Sequence, residues 1–449
     1  ERAMRHVRNI ARRPHPTGSA EHLVVLQYLV NEFTALGLAP QMQDVTGVGT
    51  RYAVAGRVRN LLVRVPGATP GGPAVLLVAH YDGVPASPAA GDDGSGTAAL
   101  IETVRALRAG PPLAHDVIVL LTDSEESGLL GAAAFVREHP WAKDAAVVLN
   151  FEARGTNGPS FMFETGPGNL DVVRALRSVP GVRATSLSTA VYRQLPNDTD
   201  LSELALLERP AMNFAFIGGV NRYHTSEDDS VHLSAASLQH HGNQALSLAR
   251  AFGNGPLPRP STPDAVFFDL PIIGLVFYPQ RWALPLALLG LGLVVGAASL
   301  MRRTEKRLAR DAALSAVGTV VGVAIAGLAG IGASFALQRL HAALGNGTPD
   351  FSGTYAAAIA LLVIAISSAC YAIVRHCGSM PGTHVGALFV WALLSLVVAV
   401  MAPGVSFLLT WPLLAAAAMQ LVVLKRARET VTLSAIWVGT FFATVIVVP

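Results

Sequence analysis

Six long, uncharged apolar runs in the second half of the chain constrain its fold more strongly than any other feature of the sequence. A helix rises about 1.5 Å per residue, so roughly 20 residues cross a hydrocarbon layer about 30 Å thick. The runs have about this length and occupy residues 282–301, 312–337, 351–374, 385–401, 405–424 and 431–448. We therefore predict an all-α transmembrane domain of about six helices over residues 282–449, truncated at its C-terminal end.

Basic residues between these runs predict the orientation of the chain, because short cytoplasmic loops carry an excess of Lys and Arg. The sequence RRTEKRLARD at 302–311 follows the first run and is strongly basic, so we expect it in the cytoplasm. The domain before the first run is then extracytoplasmic: periplasmic or outside the cell in a bacterium, lumenal in a eukaryotic organelle. Residues 1–30 contain no export signal, so we expect a signal or membrane anchor upstream of Glu1.

Charge is unevenly distributed between the two parts of the chain. Residues 269–449 contain 5 acidic and 11 basic side chains, whereas residues 1–268 contain 25 and 22. The basic excess belongs to the membrane region, which indicates the lipid bilayer as its partner and argues against nucleic-acid binding. Cys370 and Cys377 are the only cysteines, so a metal site in the front part would have to use His, Asp and Glu.

Strand and helix patterns alternate in residues 1–262. Apolar runs typical of strands occupy residues 60–65, 74–80, 116–123, 145–152, 160–164 and 211–217. Helical segments are predicted at 95–109, 128–138, 170–178 and 233–252. This alternation predicts an α/β fold, a three-layer sandwich with a mostly parallel central sheet, because strands this apolar need cover on both faces. Residues 263–281 are interpreted as a linker, either an interfacial segment or a connecting strand.

Acidic and imidazole side chains follow several of the predicted strands, where α/β folds bind their ligands. Each has an ordinary explanation by itself, as a loop residue, a helix cap or a solvated charge. Five separate segments that place such groups at the end of a buried sheet favour a metal site instead. The candidate ligands are His80, Asp92, Glu126, Glu152 and His224. These donors suit two zinc ions about 3.5–4 Å apart that share a bridging carboxylate.

Two further acidic residues have predicted roles beside these ligands. Asp82 is two residues from His80 and could accept the second ring N–H of that histidine. Glu125 is adjacent to a candidate ligand but is not needed as one, so it is free to act as a general base.

The motifs AHYDGVP, PAAGDDGSGTAALIE, LTDSEESGLLGAAAFV, VLNFEARG and YHTSEDD occur in this order. Together they resemble the co-catalytic zinc exopeptidases of the aminopeptidase S and glutamate carboxypeptidase group. RRPHPTGSAEH, NDTD, AVFFDL and the layout of a peptidase followed by many spans are most similar to its membrane branch, the endoplasmic reticulum metallopeptidases and vacuolar membrane proteases. The resemblance covers about residues 1–280 in sequence and the spans by layout alone.

The resemblance implies a zinc peptidase fold with two Zn²⁺ ions bridged by Asp92. His80 and Glu152 would complete the ligands of one ion, and Glu126 and His224 those of the other. The remaining implied roles belong to Glu125 as general base, Asp198 or Asp200 as an acidic group behind the ligands, and Asp93 as a residue that is not a ligand. Glu152 replaces the Asp that is common in soluble members.

These motifs predict a membrane-anchored zinc metallopeptidase that cleaves terminal peptide bonds of peptide substrates, with aminopeptidase activity favoured. A carboxypeptidase or an aminoacyl cyclase on the same fold, a non-catalytic receptor or scaffold, and a transporter with an accessory domain are alternatives. Uncharged spans argue against the transporter. Arg222 and Tyr223 are candidates for the substrate pocket, whereas His240 and His241 are predicted to lie on a solvated helix face.

Overall fold

A computed structural model describes residues 1–259, 262–270, 272–343 and 353–426. The chain divides into two compact units, Glu1–Pro279 and Gln280–Pro449.

The first unit is built on a seven-stranded mixed sheet with the order β1-β2-β4-β3-β5-β7-β6. Its strands are β1 (Gln41–Val48), β2 (Ala55–Val65), β3 (Ala74–His80), β4 (Asp116–Thr122), β5 (Ala145–Ala153), β6 (Phe161–Thr165) and β7 (Ala211–Phe216). The four central strands β4, β3, β5 and β7 are parallel, and β1, β2 and β6 pair antiparallel at the two edges. All six predicted strands are present, and β1 is additional.

Helices cover both faces of this sheet. They are α1 (Arg2–Ile10), α2 (Ala20–Ala35), α3 (Gly94–Arg108), α4 (Leu130–Glu138), α5 (Leu170–Leu176), α6 (Ser186–Tyr192), α7 (Asp200–Leu204) and α8 (Ala235–Asn254). Successive side chains of a strand point to opposite faces. Leu77 of β3 therefore joins the core formed with α2, α3 and α8, while Leu76 joins the core formed with α4 and α7. The predicted α/β sandwich is confirmed.

The parallel strands bring their carboxyl ends to one edge of the sheet. His80 at the end of β3 is paired in register with Thr122 at the end of β4, and Glu152 of β5 with Ala215 of β7. The candidate ligands that follow these strands consequently start from neighbouring positions.

A hairpin occupies much of the segment 263–281. Its strands are β8 (Ala265–Leu270) and β9 (Gly274–Pro279), which pair antiparallel and belong to the first unit. Val266 and Phe267 are fully buried, so this segment contributes to the core of the first unit. The domain boundaries drawn from the sequence stay a prediction.

The described part of the second unit is helical. Its helices are α9 (Ala283–Met301), α10 (Leu308–Ala343), α11 (Gly353–Cys377), α12 (Met380–Met401) and α13 (Phe407–Arg426). Four segments of the described chain are long and apolar enough to cross a membrane, namely Gln280–Met301, Leu308–Leu340, Ala357–Cys377 and Met380–Met401. A shorter apolar helix covers Phe407–Val422. The predicted run 431–448 lies outside the described residues.

Candidate metal and catalytic site

His80, Asp92 and Glu152 come together at the carboxyl edge of the sheet. The Nε2 atom of His80 lies 3.0 Å from Oδ1 of Asp92 and 3.5 Å from Oε2 of Glu152. All three side chains are buried. His80 ends β3 and Glu152 lies in β5, whereas Asp92 is in the loop before α3. One imidazole and two carboxylates thus face a common point.

Glu126 and His224 form a second cluster on the other side of Asp92. The Nε2 atom of His224 lies 3.1 Å from Oδ2 of Asp92 and 3.0 Å from Oε1 of Glu126. Potential ligand atoms of the three residues all lie within 4.8 Å of one another. Asp92 therefore directs one carboxylate oxygen at each histidine and belongs to both clusters.

The electrostatics of the two clusters fit a binding site for divalent cations. Burial and the neighbouring Asp92 raise the pKa of Glu126 to about 7, and burial also raises the pKa of Glu152. Although burial favours its neutral form, hydrogen bonds from His224 and His80 lower the pKa of Asp92 to about 2. Among the described residues, only histidines form ion pairs with these three carboxylates. Imidazole nitrogens and carboxylate oxygens are a donor set that zinc accepts.

Asp82 links His80 to the loop that carries the two adjacent glutamates. The Nδ1 atom of His80 lies 3.0 Å from the backbone carbonyl of Asp82 and 3.5 Å from its Oδ1. The backbone N–H groups of Glu125 and Glu126 donate to the two carboxylate oxygens of Asp82, at 3.0 and 3.3 Å. Asp82 thereby fixes the ring orientation of one candidate ligand and the backbone of another.

Glu125 lies beside the clusters and lines an open cleft of about 350 Å³. A carboxylate oxygen of Glu125 is within 4.8 Å of a ring nitrogen of His80 and of an oxygen of Glu126. Burial, followed by the negative charges of Glu152 and Asp200, raises its pKa well above the ordinary value. A carboxylate with a raised pKa at the edge of a cleft is suited to accept a proton.

Asp198 and Asp200 have different surroundings. Asp200 is fully buried, receives a hydrogen bond from Thr122 at the end of β4, and has its pKa raised to about 7 by burial and the charge of Glu152. Asp198 instead lines the cleft and accepts a hydrogen bond from the hydroxyl of Tyr52 at 2.8 Å. Of the two, Asp200 lies behind the candidate ligands.

Tyr223 lines the cleft, whereas Arg222 is not among the residues described there. The Tyr223 ring is stacked on the ring of His224 with a centroid distance of 3.7 Å. Arg222 donates to the hydroxyl of Thr156 at 3.3 Å and lies 3.4 Å from the carboxylate of Glu227. The structure therefore places Tyr223 at the cleft and Arg222 in contacts with its neighbours.

Asp228 has a role that the sequence did not indicate. Its carboxylate is buried and accepts hydrogen bonds from the backbone N–H groups of Gly91 and Asp92, at 2.6 and 3.2 Å. Asp228 follows His224 in the YHTSEDD motif, so one motif supplies a candidate ligand and the anchor of another. Asp93 caps α3 by accepting a hydrogen bond from Gly96 at 2.9 Å.

The prediction that His240 and His241 lie on a solvated face is wrong for His241. Its ring is fully buried, with Nδ1 2.7 Å from the hydroxyl of Ser160. The rings of Phe151 and Phe216 meet it edge to face at centroid distances of 5.1 and 5.6 Å. His241 shares a helix face with the apolar residues of α8, and this position overrides its polarity.

Comparison with known families identifies the region that contains both clusters. Residues 60–249 match the model of Peptidase family M28. The matched segment includes all five candidate ligands and Glu125. Residues 60–249 form a Peptidase family M28 domain. The family resemblance drawn from the motifs is confirmed, and the family is one of zinc-dependent metallopeptidases.

Two curated relatives share this domain. Endoplasmic reticulum metallopeptidase 1 of Rattus norvegicus is 28% identical over 292 residues, which cover 60% of this chain and 32% of the relative. Vacuolar membrane protease of Candida albicans (strain WO-1) is 32% identical over 251 residues, covering 54% and 29%. The chain spans about a third of the length of these relatives. With its apolar helices, the M28 chain is a membrane-associated metallopeptidase homologue.

A solved structure also resembles this chain. The Zn-dependent exopeptidase from Parabacteroides distasonis ATCC 8503 aligns with a TM-score of 0.46 and 18% identity, covering 56% of this chain and 97% of that chain.

Proposed function

We propose that this protein is a di-zinc exopeptidase that removes N-terminal residues from peptides. The observation that carries the proposal is the position of Asp92, whose oxygens lie 3.0 Å from His80 and 3.1 Å from His224. A carboxylate shared between two imidazole-containing clusters has the arrangement expected of a bridging ligand. His80 and Glu152 would complete one set of ligands, and Glu126 and His224 the other.

Zinc ions held in these sets would lower the pKa of water towards 7 and polarise the scissile carbonyl. Glu125 would accept the proton of the attacking water and deliver it to the leaving amine. Its place on the cleft allows contact with substrate, and the backbone hydrogen bond from Glu125 to Asp82 holds the loop in register with His80.

The charge of the cleft favours a substrate amine over a substrate carboxylate. Its acidic lining residues are Glu125, Glu126 and Asp198, and none of the described residues that line it is Lys or Arg. A protonated or metal-bound α-amine would be attracted to this wall, whereas a C-terminal carboxylate would be repelled. Tyr52 and Tyr223 add aromatic surface for an apolar side chain.

We also infer that the peptidase unit faces away from the cytoplasm. The strongly basic segment 302–311 follows the first membrane span, and the positive-inside rule favours the cytoplasm for such a loop. Substrates would then be peptides of an extracytoplasmic compartment.

The direct test compares the detergent-solubilised wild-type chain with Glu125→Gln. We expect release of 4-nitroaniline from aminoacyl-4-nitroanilides by the wild type, with a loss of about 10²- to 10⁴-fold in kcat for the variant. Elemental analysis should find the same zinc content in both proteins, because Glu125 is not proposed as a ligand. Full turnover by Glu125→Gln would refute its role, and cleavage of C-terminally exposed substrates alone would favour a carboxypeptidase.

A further inference from the structure

The N-terminal sequence RRPHPTGSAEH at 12–22 reaches the loop of the two adjacent glutamates. The Thr17 hydroxyl donates to Oδ1 of Asp123 at 2.9 Å. The Nε2 atom of His22 lies 3.0 Å from the same oxygen, and the side chains of His22 and Asp123 are both essentially inaccessible to solvent. Two residues outside the matched family segment thus contact the residue two positions before Glu125.

Asp123 and Ser124 form a constrained connection between β4 and the glutamates. The second oxygen of Asp123 accepts a hydrogen bond from the backbone N–H of Arg59 at 2.8 Å. Ser124 has a φ of 60°, in the left-handed region that residues other than glycine rarely adopt. Its hydroxyl donates to the Thr17 hydroxyl at 3.0 Å. A backbone conformation that is intrinsically unfavourable persists where surrounding contacts hold it.

His22 also contacts the strand end that carries the first candidate ligand. Its ring is stacked on the ring of Tyr81 at a centroid distance of 4.9 Å and an interplanar angle of 10°. Tyr81 lies between His80 and Asp82 in sequence and is fully buried. His22 therefore packs between the end of β3 and the loop after β4, the two segments that Asp82 also connects.

We propose that Thr17 and His22 are positioning residues that hold the loop 123–126, and through it place Glu126 as a ligand and Glu125 as the base. Asp82 holds this loop on its cleft side through the N–H groups of Glu125 and Glu126. Thr17 and His22 hold it on the opposite side through Asp123. The inference rests on the proposed function, because it assigns the loop to a metal site and a proton transfer.

The test uses Thr17→Val and His22→Phe in the full-length chain in detergent. Valine keeps the shape of threonine without its hydroxyl, and phenylalanine keeps a ring that can stack on Tyr81 without a polar contact to Asp123. We expect one of two zinc-binding steps, the one that uses Glu126, to weaken about 10- to 100-fold in a titration of the metal-free protein. We expect kcat to fall at least about tenfold, with KM within about twofold of wild type.

The matched control is His6→Phe. His6 is another buried histidine of the N-terminal segment, and it contacts Tyr28 and Glu102 rather than the loop. It should show wild-type zinc binding and kcat even if its unfolding temperature falls. Thr17→Ser, which keeps the hydroxyl, should restore both zinc affinity and kcat.

The outcomes separate this inference from the proposed function. Unchanged zinc affinities and kcat in Thr17→Val and His22→Phe would overturn the positioning role, as would losses equal to those of His6→Phe. A wild-type chain that cleaves no aminoacyl substrate would refute the proposed function, while the zinc titration would still decide whether Thr17 and His22 support the Glu126 ligand. If Thr17→Val does not fold, the comparison of His22→Phe with His6→Phe decides the question.

Discussion

Replacing His241 with Phe should remove a pH-dependent part of the stability of the peptidase unit. Burial lowers the pKa of His241 to about 3 in the folded chain, whereas an exposed histidine has a pKa of about 6.5. Below pH 6.5 the unfolded chain therefore binds a proton that the folded chain excludes. The contribution of the neutral ring to stability is complete above pH 6.5 and is lost as the pH falls towards 3. At pH 5 the loss is about 2 kcal/mol.

The assay is thermal unfolding of wild type and His241→Phe in detergent at pH 7.5 and pH 5.0. A loss of about 2 kcal/mol corresponds to a decrease of about 5 °C in the unfolding temperature of a unit of this size. Phenylalanine leaves the Ser160 hydroxyl without its ring partner, which is a cost at both pH values and cancels in the comparison. Wild type should lose about 5 °C more than the variant between pH 7.5 and 5.0. Equal decreases would refute the assignment of a buried, neutral His241.

Three further predictions concern the site and the orientation of the chain. Tyr52→Phe removes a hydrogen bond to Asp198 at the cleft and should raise KM in steady-state assays about two- to tenfold with unchanged zinc content; an unchanged KM would exclude a role for this hydroxyl. Asp228→Asn weakens the anchor of the Asp92 backbone and should lower zinc affinity about tenfold in a chelator competition, whereas wild-type affinity would contradict that role. In a cysteine-free background, Arg303→Cys should react with an impermeant maleimide only from the cytoplasmic side, and labelling from the opposite side would reverse the proposed orientation.

Apolar periodicity predicts the central part of the fold because the strands that carry the site are buried on both faces. β3 and β4 are buried along their whole length, so their sequences are continuous apolar runs. β1 escaped prediction because only two of its eight residues, Gln43 and Gly47, are buried. A half-exposed edge strand of this kind has no apolar alternation to detect.

The sequence predicts which residues could form a metal site better than it predicts their supports. Ligand candidates stand at strand ends, and their residue types carry the chemistry with them. Asp123 and Asp228 act through hydrogen bonds to segments far away in sequence, which no local pattern reveals. His241 was misjudged for a different reason: its spacing from Leu238 and Ala245 already placed it on the buried face of α8, but its polarity suggested solvent.

The central claim, that Asp92 joins two metal sites, is tested most directly by zinc stoichiometry. Metal-free wild type and Asp92→Asn would be titrated with Zn²⁺ and the bound metal measured by elemental analysis. We expect two zinc ions per wild-type chain and at most one in Asp92→Asn at the same free zinc concentration, since the amide lacks the charge and the second oxygen that a bridge needs. Two ions retained by Asp92→Asn with unchanged affinity, or a single ion in the wild type, would contradict the bridging role.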